Sequence, residues 1–449
     1  MKMKKICIIG VVLFFTGCSV QKPLVKEQFT ANVVGPAFVV NEEYQPQAWE
    51  DVFSDQPLQA LITEALANNA DVRTMQLNVE QAASQLRTAK LAYLPAFVLS
   101  PSGTMSKTGN NAMNKTYELP ITMQWEFNLG GQQGAQQSAS KYQWMNAQEQ
   151  LRYTQLLLIA SVANTYYTLI MIDEQLRLSK QSVELQKETL SVMKALKEVG
   201  KANELAVNQT EAALQETISS VSDLALQQEK ISRSMNLLIG RNIEQVSRSA
   251  YDDSGQIMID SNSFVSLEAL AMRPDVKSAE YTLRASFQNT RIARSQFYPT
   301  LQLNASGSWT NNLGEIINPG KLLLNLVGSI TQPLFQKGQL KAWLEIAKAQ
   351  QEQAQIAFTQ ALLQAGNEVA DALAECRTSQ QKLQARQMQV KASNLAFVNS
   401  RELMRHSSTV NYLDVLTAQS SYLNAQLQST ADWLESQQGK INLFKAMCR

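Results

Sequence analysis

The chain has 449 residues, with 40 basic and 39 acidic side chains and a net charge of +1, a balance that leaves no basic footprint for nucleic acid. Charged residues reach only 18%; Gln, Ala, Ser and Leu take their place, the composition of long, weakly charged helices. Mean hydropathy is −0.21, and without an apolar run of about 18 residues no helical membrane span is expected.

Lys2, Lys4 and Lys5 precede an apolar stretch from Ile6 to Phe15, too short to cross a bilayer, so residues 1–17 read as a signal peptide. Phe15-Thr16-Gly17-Cys18 resembles the lipobox of bacterial lipoproteins, with Phe15 where Leu is usual. That resemblance implies acylation of Cys18, and Ser19 in place of Asp implies sorting to the outer membrane. Residues 18–56 read as a lipidated, extended arm interrupted by Pro23, Pro36 and Pro46. With Cys7 removed and Cys18 acylated, Cys376 and Cys448 remain. Their helical surroundings favour buried small hydrophobes over a disulfide.

From Pro57 the chain repeats itself. Asn69 to Gly103, shifted by 204 positions, falls on Arg273 to Gly307. Asp71, Val72, Arg87, Ala89, Pro95, Leu99, Ser102 and Gly103 recur as Asp275, Val276, Arg291, Ala293, Pro299, Leu303, Ser306 and Gly307. Each half reads as helix, strand, strand, long helix, tight turn, helix, over residues 57–240 and 264–449, with 241–263 as a linker or lateral insert. The first helix is expected to run unbroken from Pro57 to Leu94. Pro95 stops it, and Pro299 stops its counterpart.

Hairpins follow at about 96–129 and 299–335. The first opens with one strand over 96–107. In the second strand Tyr117, Leu119, Ile121, Met123, Trp125 and Phe127 alternate with mostly polar residues, giving one greasy and one wet face. Leu301, Leu303, Ala305, Gly307 and Trp309 line one face of a third strand, and Leu322, Leu324, Leu326, Gly328 and Ile330 one face of a fourth. Aromatics near the strand ends suit the interfacial girdles of an outer-membrane barrel. Alternation by itself equally fits a water-soluble sheet packed on a helix.

Gly130-Gly131 and Lys337-Gly338 then open helical patterns reaching about Val199 and Arg405, each about 100 Å long at 1.5 Å per residue. Leu176, Val183 and Leu190 form one heptad stripe; Leu178, Leu185, Val192 and Val199 form another, about 200° away. Two stripes suit a helix in a ring, flanked on both sides. The first recurs 207 positions on as Leu383, Val390 and Phe397. Turns at Val199–Asn203 and His406–Asn411 return the chain.

His406 is the only histidine, so His-based metal sites and catalytic triads lose their usual member. No phosphate loop or cysteine cluster stands out. The expectation is a non-enzyme with no cofactor beyond the covalent lipid. Four strands leave two edges, which a bilayer does not tolerate. A closed barrel takes about eight strands or more, so several copies must share one. The residues leave their number open.

Trp49-x3-Phe53-x-Asp55, Asn69-Ala70-Asp71, Arg273-Pro274-Asp275-Val276, Tyr93-Leu94-Pro95, Phe297-Tyr298-Pro299, Gln332-Pro333-Leu334-Phe335 and Tyr412-Leu413-Asp414-Val415-Leu416 together resemble the outer membrane factor (TolC/OprM-like) family. These are the channel proteins of tripartite efflux pumps and type I secretion systems. The resemblance implies a mainly α fold with a membrane β-barrel: a homotrimer whose twelve-stranded barrel continues into a twelve-helix α-barrel. It implies a lipid-anchored exit duct in the bacterial outer membrane that reaches into the periplasm and passively conducts drugs or other small molecules. Its partners would be a periplasmic adaptor and an inner-membrane transporter of the resistance-nodulation-division class. The lipobox and the ending at Arg449 look like the lipoprotein branch.

Asp414 matches the first aspartate of the family's periplasmic gate, where three copies would set like charges at a constriction and favour cations. Thr417, Val410 and Ser408 depart from that pattern. Gly200, Lys201, Ala202 and Asn203, with Ser407, Ser408, Thr409 and Val410, are the expected adaptor-contacting tips. A non-channel periplasmic coiled-coil scaffold lipoprotein is the alternative. An adaptor would need a lipoyl-like β domain, which the sequence lacks.

Overall fold

The computed structural model describes residues 48–107, 109, 113–242, 244–251, 257–259, 267–310, 322–406 and 411–447. Helices α1 (Trp49–Val52), α2 (Gln56–Asn68) and α3 (Ala70–Leu91) lead to strands β1 (Ala96–Leu99), β2 (Ser102–Ser106) and β3 (Asn114–Asn128). The long helix α4 (Gln132–Glu198) and α5 (Glu204–Ile239) follow. Then come α6 (Leu267–Met272), α7 (Pro274–Ser295), β4 (Thr300–Thr310), β5 (Leu323–Thr331), α8 (Gln339–His406) and α9 (Tyr412–Met447).

The helix expected to run from Pro57 to Leu94 is two helices, and it ends at Leu91. The break lies at Asn69, whose side-chain oxygen accepts the N–H groups of Asp71 at 2.9 Å and Val72 at 3.2 Å. Its own backbone is extended, so the chain restarts as a freshly capped helix. The Asn69 amide nitrogen donates to the Leu238 carbonyl at 2.9 Å, tying the break to the end of α5. There Gly240, at φ +77, takes the left-handed helix stop, and a Cβ on it would lie 2.7 Å from the Asn68 oxygen. The repeat carries the break: 204 positions on, α6 and α7 meet at Arg273, with Pro274 in the first turn of α7.

The strands form one antiparallel sheet in the order β1-β3-β4-β5, with β2 also on β3. The single strand expected over 96–107 is interrupted at Ser100-Pro101, where proline has no N–H to offer the ladder. Both pieces follow the same edge of β3, with Ala96 opposite Gln124 and Ser106 opposite Asn114. The β3–β4 register pairs Leu119 with Trp309, Met123 with Ala305, Trp125 with Leu303 and Phe127 with Leu301. Leu301, Leu303, Ala305 and Gly307 then face Ile330, Gly328, Leu326 and Leu324. All three alternating sets therefore fall on one face.

Helices α4 and α8 have 67 and 68 residues, each about 100 Å. Positive-φ glycines stand at matching places before them, Gly131 at 76° and Gly338 at 82°. α4 packs against α2, α3, α5, α7 and α9, and α8 against α6, α7 and α9. By composition α4 departs from the expectation of no spanning helix: an 18-residue window reaches a mean hydropathy of 1.5. Its apolarity serves packing, since 61% of that window is buried inside the fold.

The largest core lies midway along α4. Val52, Phe53, Ile62, Tyr166, Tyr167, Ile170, Met235, Ile239 and Phe444 are fully or almost fully buried there, and Phe53 meets Phe444 edge-on with centroids 5.2 Å apart. A second core joins α7 to α8 through Val276, Leu283, Phe358, Leu362 and Val369. A third fills the α4–α5 end with Val183, Leu190, Met193, Val207 and Leu214. Leu176, Val183 and Leu190 are buried, as one packed seam requires. On the opposite stripe Leu178 is buried, but Val192 and Val199 are 51% and 67% exposed.

Candidate functional site

The sheet has one apolar face with little packed on it. Phe97, Leu324, Leu326 and Ile330 are 68–78% exposed, although each stands on the face where burial is most favourable. Pairing puts Glu118, Thr122, Gln124 and Glu126 of β3 on the other face, beside Gln302, Asn304 and Ser306 of β4. Among the described strand residues the wet face carries carboxylates at Glu118 and Glu126 and no Lys or Arg; Lys115 has the parity of the apolar face. Among the described residues β1 and β5 each have a single strand neighbour, so the sheet ends in two open edges.

Pro95 stands between α3 and β1, and Pro299 between α7 and β4. Each junction is fastened by a side chain of the returning segment, Trp125 within β3 and Gln332 just past β5. The Trp125 indole N–H donates to the Tyr93 carbonyl at 3.1 Å, and the Gln332 amide donates to the Phe297 carbonyl at 2.9 Å. Leu129 N–H also reaches the Pro299 carbonyl at 3.0 Å.

At the far end, about 100 Å away along α4, Gly200 turns the chain at φ +74 with open space around it. Lys201 N–H returns to the Leu196 carbonyl at 2.8 Å. Asn203 caps α5 by accepting Ala206 N–H at 2.9 Å. Lys197 and Glu204 form an ion pair across the turn. Tyr412 donates its hydroxyl to Gln209 Oε1, holding the start of α9 against α5. Asp414 is exposed and forms a reciprocal cap: Asp414 Oδ2 accepts Asn411 N–H at 2.9 Å, and Asn411 Oδ1 accepts Asp414 N–H at 3.0 Å.

The sequence pattern of the outer membrane efflux protein family matches residues 61–241 and 265–449. The chain belongs to that family. Among relatives, the cation efflux system protein CusC of Escherichia coli strain K12 is 26% identical, with 97% of each chain covered. The probable outer membrane lipoprotein SilC of Salmonella typhimurium is 25% identical over 99% of this chain and 98% of its own. A crystal structure of CusC superposes with a TM-score of 0.84 at 25% identity, covering 96% of this chain and 98% of that one. This family member is an outer-membrane efflux channel, a duct rather than an enzyme.

Of the residues singled out in the sequence, Pro95 and Pro299 sit at the two helix-to-strand junctions and Gly200 to Asn203 form one tip. Cys18, Cys448, Ser407, Ser408, Thr409 and Val410 lie outside the described residues. Cys376 is buried, and burial pushes its thiol up to about 11.

Two polar clusters left almost no signal in the sequence. Tyr166 donates to Asp55 Oδ2 at 2.7 Å, Ser249 Oγ donates to Asp55 Oδ1 at 2.9 Å, and Ser249 N–H donates to the Tyr166 oxygen at 3.0 Å. Burial pushes the Tyr166 phenol up to about 12. Arg248 pairs with Asp173 next to it. The segment before Asp252 is thus pinned onto α4. Between α8 and α9, Arg386 donates to Asp432 at 2.7 Å, and Lys382 contacts both Glu435 and Asp432. Glu435, then Asp432, raise the Lys382 ammonium above its ordinary pKa. These partners lie 46 to 194 positions apart, beyond any local motif; only the Asp55 of the Trp49-x3-Phe53-x-Asp55 motif hinted at them.

Proposed function

We propose that three copies of this chain close their sheets into one barrel and continue downward as a helical tube, the exit duct of a tripartite efflux pump. One observation carries the reading: an antiparallel sheet with two open edges and one exposed apolar face, entered at prolines from α3 and α7 and continued past Gly131 and Gly338 into helices about 100 Å long. In a bilayer each unpaired edge amide costs several kcal/mol, and only closure removes edges. Three copies of a sheet four strands wide give a twelve-stranded barrel. The exposed Val192 and Val199 are then covered by a neighbouring copy, as tube walls require.

In this reading a lipid on Cys18 holds the duct to the inner leaflet of the outer membrane. A periplasmic adaptor docks on the tips at Gly200 to Asn203 and Ser407 to Val410, and a transporter of the resistance-nodulation-division class feeds it from the inner membrane. Asp414 narrows the periplasmic mouth. The carboxylates of the wet face and the kinship with CusC, named for cation efflux, support small cations as cargo.

The deciding experiment is to purify the acylated protein from outer membrane and record it in planar bilayers. The expected outcome is an SDS-resistant oligomer with ion conductance. A protein that gives neither refutes the reading.

A further inference from the structure

Leu334 and Phe335 are 93% and 84% exposed, the two most exposed of the large apolar residues described. They follow β5 directly, yet the segment is anchored: Gln332 donates to the Phe297 carbonyl at 2.9 Å and to the Pro333 carbonyl at 3.3 Å. An anchored, solvated Leu-Phe pair at a sheet edge needs an occupant.

The internal repeat supplies one. Tyr93 and Phe297, 204 positions apart, both accept a side-chain N–H, from Trp125 and Gln332, which are 207 apart. The positive-φ glycines Gly131 and Gly338 are also 207 apart. Residues 332–335 therefore stand where 125–128 stand in the first half. Within the chain, 125–128 are strand: Trp125 pairs with Leu303, Glu126 with Gln302, Phe127 with Leu301 and Asn128 with Thr300. Subtracting 204 from those partners gives Leu99, Val98, Phe97 and Ala96, which are β1.

Within one chain β1 lies at the opposite edge of the sheet from β5. We infer that residues 332–335 extend β5 by pairing with β1 of a second copy, with Gln332 opposite Leu99, Pro333 opposite Val98, Leu334 opposite Phe97 and Phe335 opposite Ala96.

Two independent checks agree. Leu324, Leu326 and Ile330 put even positions of β5 on the apolar face, while Phe97 and Leu99 put odd positions of β1 there. The inferred register matches even to odd, so Leu334 meets Phe97 on the membrane side. A slip of one residue would set apolar against polar throughout. Pro333 is also tolerated. In β3, even positions turn their backbone toward β1, as in the bond from Ser100 N–H to the Pro120 carbonyl, whereas Leu129 N–H turns toward Pro299. Pro333 occupies the place of Glu126, so its missing N–H points away from the second copy.

The inference rests on the proposed ring and adds its register. The test uses the full chain with Cys376→Ser and Cys448→Ser, carrying Phe335→Cys together with Ala96→Cys. Mild oxidation is expected to give a covalent ladder ending at the closed ring, and Phe335→Cys with Val98→Cys is expected to give none. Separately, Leu334→Asp should lower the SDS-resistant fraction by about tenfold or more, the effect of exposing one buried leucine. If oligomers persist but the 335–96 pair fails to link, or 335–98 links as well, the register is wrong and the ring stands. If Leu334→Asp leaves the oligomer intact and weakens only membrane retention, lipid is the occupant and the inference fails. If the unsubstituted protein forms no oligomer, the ring and the register fall together.

Discussion

Asp414 and Asn411 cap each other: each side chain accepts the other's backbone N–H, at 2.9 and 3.0 Å. The carboxylate at the proposed mouth of the duct therefore also starts α9, and its two roles are separable. Asp414→Asn keeps an acceptor at the cap and removes the charge; Asp414→Ala removes both. We expect both variants to lower cation preference in bilayer recordings. Asp414→Ala alone should also loosen the first turn of α9, by about 1 kcal/mol, visible as faster amide exchange after Asn411. Unchanged ion preference in Asp414→Asn would leave this residue a cap and nothing more.

The wet face of the sheet carries its own charge. Glu118 and Glu126 are eight positions apart on β3, about 27 Å along the strand. Screening reaches about 8 Å at physiological salt and about 30 Å at 0.01 M, so in the proposed barrel each ring of carboxylates would act locally in the first case and across the lumen in the second. The double variant Glu118→Gln, Glu126→Gln should reduce the cation-to-anion permeability ratio by about twofold at 0.01 M salt and far less at 0.15 M. Equal ratios at low salt would assign all selectivity to the periplasmic end.

Alkaline conditions should act on the buried tyrosine cluster beside Asp55. Tyr166 is raised by burial from 10.0 to about 12, and burial moves Tyr167 the same way. The unfolded chain loses these protons near pH 10 while the folded chain keeps them. Stability is thus complete below pH 10 and falls as pH rises toward 12, by up to about 3 kcal/mol for Tyr166. Tyr166→Phe should melt lower at pH 8, because Asp55 loses a donor, but decline less steeply from pH 10 to 12. Parallel declines in the two proteins would remove Tyr166 from the account.

Much of this was legible in the sequence. Strand alternation assigned every face of β3, β4 and β5, because period-two burial leaves a direct mark on residue order. Pro95 and Pro299 marked the junctions for an equally local reason. The division at Asn69 was visible only as a motif, since an asparagine within an amphipathic pattern does not reveal that its side chain caps the next turn. Ser100-Pro101 interrupts the first strand without shifting it, since the pieces on either side keep one register, and so it leaves no mark in the pattern of alternation. The cluster around Asp55 was all but illegible, as Tyr166 and Ser249 reach it from 111 and 194 positions away. Whether Asp414 caps or gates is decided by its neighbours in space.

The single register shared by β3, β4 and β5 also governs which length changes the gene can accept. Deleting one codon between Asn114 and Asn128 would exchange lipid for water along the rest of that strand. Deleting two adjacent codons would shorten the strand and keep every remaining side chain on its own side. Within the membrane, the lengths available to this chain change in steps of two.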